Sequence, residues 1–338
     1  MSLVKKIHVE GIKAGHIQGI AVDKERKYMY CSFTTTLLKL DMDGNIVGSV
    51  KGLAGHLGCI AYNEDDGKVY GSLEFKHDCI GECLTGGREI EDGFYGAIFD
   101  VDRINRVDMD AESDGVMTAV YLKEVFNDYS ADGHRYGCSG IDGFTFAPMP
   151  GQNGGKKYAY IAYGIYGDTG RDDNDCQIIL RYDIENWDKI ALPLNQSKMH
   201  KSGPEKYDSK YFVYTGNTEF GIQNLEYVKE YNCLLAAVYR GAKSGYPNKN
   251  MYAVDIRGKS CEKIPKGLDE KVETLPLCLF SAEKSENGIN GSDFPYGSTG
   301  MISLGDGLFY FSKNFCNDDG QGSDICLFTF DGENFKEI

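Results

Sequence analysis

VEGIKAGHIQGIAV (residues 9–22) and VKGLAGHLGCIAY (50–62) align with one another, the second one residue shorter between its glycine and its histidine. Related starts follow at SGIDGFTF (139–146), GIQNLEYV (221–228) and GSTGMISL (297–304). Each sets Gly, Cys or Asn (Gly19, Cys59, Gly143, Asn224, Gly300) at the head of an alternating apolar run. A second apolar segment comes next in every unit: YMYCSF (28–33), KVYGSLEF (68–75), KYAYIAYGI (157–165), CLLAAVY (233–239) and LFYFS (308–312). A third ends in aspartate at Asp41, Asp102, Asp183, Asp255 and Asp331, a residue that closes turns by bonding its own backbone. A fourth is present in four units: IVGSV (46–50), VMTAVYL (116–122), KYFVYTG (210–216) and LPLCLF (276–280).

Period-two alternation of Tyr, Val, Phe and Ile with small or polar residues is strand patterning. Four short strands per unit, repeated, cannot bury their faces alone and need neighbours in a ring. The expected fold is all-β: a five-bladed β-propeller with four antiparallel strands per blade. One domain spans 1–338, with blades at about 12–51, 52–122, 139–216, 220–280 and 297–338. The last unit has only FKEI (335–338) as a weak fourth strand, so VKKIHVEG (4–11) is expected to close the ring as its outer strand. HIQGIAVD (16–23) resembles the inner strands of NHL and SMP-30-like propellers. That resemblance covers one strand per blade, implies a propeller, and transfers no catalytic residue.

The chain has 338 residues with 36 Lys and Arg against 51 Asp and Glu, a net charge of −15. Such a surface repels phosphate backbones and anionic lipid, so neither nucleic acid nor membrane is an expected partner. Mean hydropathy is −0.38 and no 18-residue apolar run exists. Eleven cysteines, several within apolar runs, read as reduced thiols of a cytoplasmic protein. Secretion is expected only if a leader precedes Met1. Cys79 and Cys83, spaced C-x3-C in a glycine-rich loop, are the pair with a disulfide or half a metal site open to them. A monomer is expected.

In a propeller the loop into the first strand and the loop between the second and third strands open on one face. Residues 75–95, 166–176, 240–250 and 313–324 belong to the second class, and 123–142 and 281–299 to the first. All six build up one face, as a pocket rim would. Residues 185–209, with Trp187, are the main exception. His16, His56, His77 and His134 fall on the long-loop face, and His16 and His56 occupy matching positions in adjacent units. Imidazole serves acid/base chemistry near neutral pH and ligates metals. The candidate catalytic groups are therefore His16, His56 and His134, with Glu74 and Glu219 as a carboxylate pair for glycoside chemistry. His77, Tyr163, Arg171, Tyr239, Arg240, Tyr296, Lys313 and Asn314 are the candidate ligand-binding residues. Just before the strand anchors stand Gln18, Gly58, Asp142, Gln223 and Thr299. The polar members form a ring around the axis that water or a divalent ion, calcium or a transition metal, would fill.

No Walker loop, nucleophile elbow or zinc-protease motif occurs. The sequence leaves two functions open. One is a hydrolase or lyase acting at the axial mouth on a carbohydrate or other small molecule. The other is a non-catalytic propeller that binds carbohydrate or peptide there.

Overall fold

The computed structural model describes residues 3–216, 219–278, 288–318 and 320–338. Five small sheets follow one another around an axis, and their inner strands contact in a closed cycle, each blade against the next and the fifth against the first. Blade one is Ile17–Val22, Tyr28–Phe33, Thr36–Asp41 and Ile46–Lys51. Blade two is His56–Asn63, Lys68–Phe75, Gly93–Phe99 and Met117–Tyr121, and blade three Cys138–Pro148, Lys157–Ile165, Cys176–Tyr182 and Ser209–Tyr214. Blade four has Ile222–Val228, Cys233–Val238 and Met251–Asp255. Its fourth strand, expected at 276–280, shows one bridge, Val254 to Leu277; residues 279 and 280 lie outside the described residues, as does 281–287 of the loop expected at 281–299. Blade five is Met301–Gly305, Leu308–Asn317 and Gly320–Phe330.

The ring closes as the sequence led one to expect. Strand Lys6–Ile12 pairs antiparallel with Gly320–Phe330, His8 opposite Asp324, and buries Ile7 and Val9. Phe335–Glu337 pairs with the other end of the same strand, so the two termini share one edge. The turn aspartates behave as predicted at four positions. Asp41 accepts from the backbone of Asp43, Asp183 from Glu185, Asp255 from Arg257 and Asp331 from Glu333.

Residues 313–324 are not a loop, because the second and third strands of blade five continue as a hairpin through Asn317 and Gly320. The insertions 75–95 and 123–142 carry short helices, Cys79–Thr85 and Lys123–Ser130. Residues 185–209 lie along the outer strand of blade two, where Leu192 and Ala119 exchange backbone hydrogen bonds at 2.9 and 3.1 Å. Trp187 is buried beside Tyr70 and Tyr182, joining blades two and three.

Four of the five inner strands carry a shared irregularity that decides where the site stands. Their pairing with the second strand slips between Ile17 and Gly19, Leu57 and Ile60, Ile141 and Gly143, and Ile222 and Asn224. A β-bulge at this level re-aims the extra residue. The residues so released are Gln18, Gly58 with Cys59, Asp142 and Gln223. The next residue is where neighbouring inner strands touch. A Cβ on Gly19 would lie 2.7 Å from the Ile60 nitrogen. Below this level the axis is filled. Asn224 Nδ2 donates to the carbonyls of Gln18 at 2.7 Å and Ser298 at 3.0 Å, and the Cys59 thiol donates to the Phe144 carbonyl at 3.3 Å.

Candidate functional site

The long-loop end of the axis gathers His56 at the start of blade two, Glu74 at the end of its second strand, and Asp142 on the bulge of blade three. Nδ1 of His56 is 3.7 Å from Oε1 of Glu74 and 3.6 Å from Oδ1 of Asp142. One ligand atom from each of the three side chains lies within 4.8 Å of the other two. That Nδ1 is closed off from solvent and has no hydrogen-bond partner. The outer oxygens of both carboxylates are engaged: Ile141 N–H donates to Glu74 Oε2 at 2.8 Å, and Gln223 Nε2 to Asp142 Oδ2 at 3.2 Å. The inner oxygens are thereby turned toward the imidazole.

Lys76 completes the cluster. Its Nζ is 2.6 Å from Glu74 Oε1 and 3.3 Å from Asp78 Oδ2, and it donates to the Ser139 carbonyl at 2.9 Å. Asp78 also accepts from Gly81 N–H as the N-cap of helix Cys79–Thr85, so the helix is fastened to the cluster. Cys79 and Cys83 are exposed, free thiols on that helix.

Burial sets the charges. It lowers the His56 pKa to about 4, against a partial rise from Glu74, so the imidazole is neutral at pH 7. It raises Asp142 to about 6 and raises Glu74 too, with Lys76 opposing both. For Lys76, burial pulls the pKa down, but Glu74, Asp142 and Asp78 together outweigh it and keep the ammonium charged.

Around the cluster the mouth is polar. His16, its pKa lowered by burial, meets Gln18 Nε2 through its Nε2 at 3.3 Å, and Gln18 also donates to Thr34 Oγ1 at 3.2 Å. Thr299 and Ser312 share a hydrogen bond of 3.0 Å. Gln18 and Thr299 are thus paired within their own blades, whereas Asp142 pairs with Gln223 of the next blade, and of the ring only these two join the cluster. Asn314 Nδ2 reaches the Ile17 carbonyl, and its Oδ1 is a buried acceptor without a hydrogen bond. Tyr239 packs on Phe220, and burial together with Asp142 raises its pKa to about 12.

Other predicted residues have structural occupations. Tyr163 is wholly buried and donates to Asp128 at 2.7 Å, so it cannot meet a ligand as expected. Glu219 accepts from Ala242 N–H and holds down the 240–250 loop. Arg171 grips Asp173 at 2.7 Å and the His134 carbonyl at 3.1 Å, tying two rim loops together. His134 bonds the Tyr129 carbonyl at 2.7 Å and packs between Tyr129 and Tyr166. His77 is exposed and pairs with Asp92 at 2.9 Å. Arg240 is exposed near Asp293. Lys313 pairs with Glu337 over the ring of Tyr296, toward the outer edge of blade five.

Lys76 and Asp78 are the groups sequence reasoning missed. Their signal is the period-two run of charged residues Glu74, Lys76 and Asp78, which continues past Phe75, where the expected loop begins.

No family model and no curated protein matches this chain. Among solved structures it is similar to the Dos1 propeller, at 9% identity and TM-score 0.35, over 95% of this chain and 82% of that one. It is also similar to the β-propeller domain of Myceliophteria thermophila Cps50 (Swd1), at 7% identity and TM-score 0.32, over 93% of this chain and 97% of that one. Among the described residues no helix is long and apolar enough to cross a membrane.

Proposed function

We propose that the axial mouth is an active site that binds a small polar molecule, a sugar or a relative of one, and acts on it as a hydrolase or lyase. One observation carries the reading: an imidazole nitrogen closed off from solvent and without a hydrogen bond, held between the buried Glu74 carboxylate and the half-buried Asp142 carboxylate, with an ammonium on Glu74. Burying such ions costs several kcal/mol each after relaxation, and apolar replacements are often neutral or stabilising. Clusters of this kind mark sites that need them for chemistry.

The two carboxylates converge on one point. A two-faced glycosidase needs its carboxylates on opposite sides of the scissile bond, so Glu74 and Asp142 do not form such a pair. Convergence suits a single centre that activates water or takes a proton next to a carbonyl. Lys76 then stabilises negative charge that develops on the substrate. His16, Gln18, Asn314 and Tyr239 line the approach and supply orienting hydrogen bonds.

The test is turnover of a panel of sugar lactones, uronides and aryl glycosides by wild type, His56→Ala and Asp142→Asn. A loss of about 100-fold or more in both variants, with unchanged circular dichroism, is the expected result. The alternative is a binding module, which the filled axis below the site favours. Saturable sugar binding with no turnover by wild type would replace the enzyme by that module.

A further inference from the structure

We infer that the mouth is a binding site for one divalent transition-metal ion, ligated by Nδ1 of His56, Oε1 of Glu74 and Oδ1 of Asp142. The inference deepens the reading above. In it the three side chains serve as ligands, and a water on the ion replaces a carboxylate as the group that attacks or takes the proton.

Three separate features support it. The first is spacing. Ligands about 2.1 Å from a tetrahedral ion stand roughly 3.4 Å apart. The His56 edges measure 3.7 and 3.6 Å, so shifts of a few tenths of an ångström bring them to bonding distance, while the Glu74–Asp142 edge, within 4.8 Å, closes onto the ion. The second is the orphan. A buried ring nitrogen with no hydrogen-bond partner loses the bond it would have in water, and an ion restores it. The third is the outer layer. Ile141 N–H and Gln223 Nε2 occupy the far oxygen of each carboxylate, leaving the near oxygens aimed at one point, the arrangement that orients metal ligands.

Charge and donor type narrow the ion. Three carboxylates, Glu74, Asp142 and Asp78, against one ammonium leave a net negative charge for a cation to offset. The Glu74 oxygen that Lys76 touches has a second lone pair to give. One imidazole with two carboxylates suits zinc, manganese, iron or cobalt, whereas calcium and magnesium take oxygen ligands alone.

The test uses full-length protein dialysed against chelator, titrated with Co²⁺ by absorption and with Mn²⁺ by calorimetry. One equivalent per chain is expected, with a cobalt spectrum free of thiolate charge transfer, since four of the free cysteines are exposed. His56→Ala and Asp142→Asn should abolish this site. Gln223→Ala, which keeps all three ligands, should weaken it about tenfold, and His77→Ala should leave it unchanged. The isosteric Asp142→Asn guards against a folding defect in His56→Ala. Binding that survives Asp142→Asn, a thiolate spectrum, or no binding at millimolar metal would overturn the inference. Turnover by metal-free wild type equal to that of loaded protein would also overturn it, while leaving the active-site reading intact. Stoichiometric binding without turnover of any substrate does the reverse.

Discussion

Gly140 decides where Glu74 can stand. Its φ of +127° is one that side chains rarely adopt, and a Cβ there would fall 1.9 Å from Glu74 Oε2. Gly140→Ala should therefore displace the carboxylate from Ile141 N–H. The expected outcome is loss of metal affinity and turnover comparable to Glu74→Gln, with the propeller still folded by circular dichroism; full retention of both would show that the cradle is not needed. A second buried acid is governed chiefly by solvation. Glu226, on the inner strand of blade four, accepts from Ser303 N–H at 2.9 Å. Burial pushes its pKa up to about 8 despite that bond and Lys157. The folded state thus keeps a proton that the unfolded chain releases near 4.5. Its stability contribution is whole below that pH and is lost as pH rises through 8. Glu226→Gln should stabilise the protein relative to wild type by a margin that grows from pH 5 to pH 9, to about 3–5 kcal/mol. Thermal midpoints across that range measure it, and a constant margin would mean that the carboxyl is ionised throughout.

At the level of elements, sequence legibility follows the range of the interaction that produces each feature. The strands were readable because their alternation is local. Asp142 was readable as an axial residue because the five starts align on it, although the bulge that aims it shows only in the strand pairing. Tyr163 was misplaced because alternation says which residues share a face and not whether that face meets solvent or the next blade. The edge straps left no local signal at all. Residues Met109–Asp110 run parallel to the outer strand of blade one, Leu192 bridges that of blade two, and Val272–Thr274 runs parallel to that of blade three. In each case the insertion between the third and fourth strands of one blade reaches back over the blade before it, covering an edge otherwise open to pairing with another chain. The Leu192 strap can be tested cleanly. Leu192 is 43% exposed, and Ala191 before it already has φ −68° and ψ 129°, a conformation that tolerates a following proline. Leu192→Pro removes the N–H that donates to the Ala119 carbonyl. It should cost about 1–3 kcal/mol and speed hydrogen exchange in Met117–Tyr121 selectively; uniform protection would mean that the strap is ornamental.

The whole ring rests on a non-covalent clasp, and the site depends on it. His56, Glu74 and Lys76 come from blade two, Asp142 from blade three and Gln223 from blade four, so the cluster exists only while three inner strands are pressed together. Glycines at the contact level leave no side chain to absorb a shift: a Cβ at Gly143 would meet Ile222 at 3.0 Å, and one at Gly300 would meet Ile20 at 2.9 Å. A ring that relaxes at its seam therefore loosens the axis everywhere. The seam is strand Lys6–Ile12, which contributes buried Ile7 and Val9, about 2 kcal/mol each, and its ladder to Gly320–Phe330. Tyr310 adds a hydrogen bond of 2.7 Å to the Val4 carbonyl. Deleting residues 1–12 should lower the unfolding midpoint by many degrees. It should also bare the upper half of the blade-five edge and promote self-association, and weaken metal binding at a site on the far side of the axis. Deleting residues 333–338, which clasp only the lower half through three paired residues, should lower the midpoint less and leave the site intact. Calorimetric unfolding, size-exclusion chromatography and Co²⁺ titration of the two truncations decide it. Equal effects from both, or an undisturbed metal site after loss of the N-terminal strand, would show that the blades hold their places without closure.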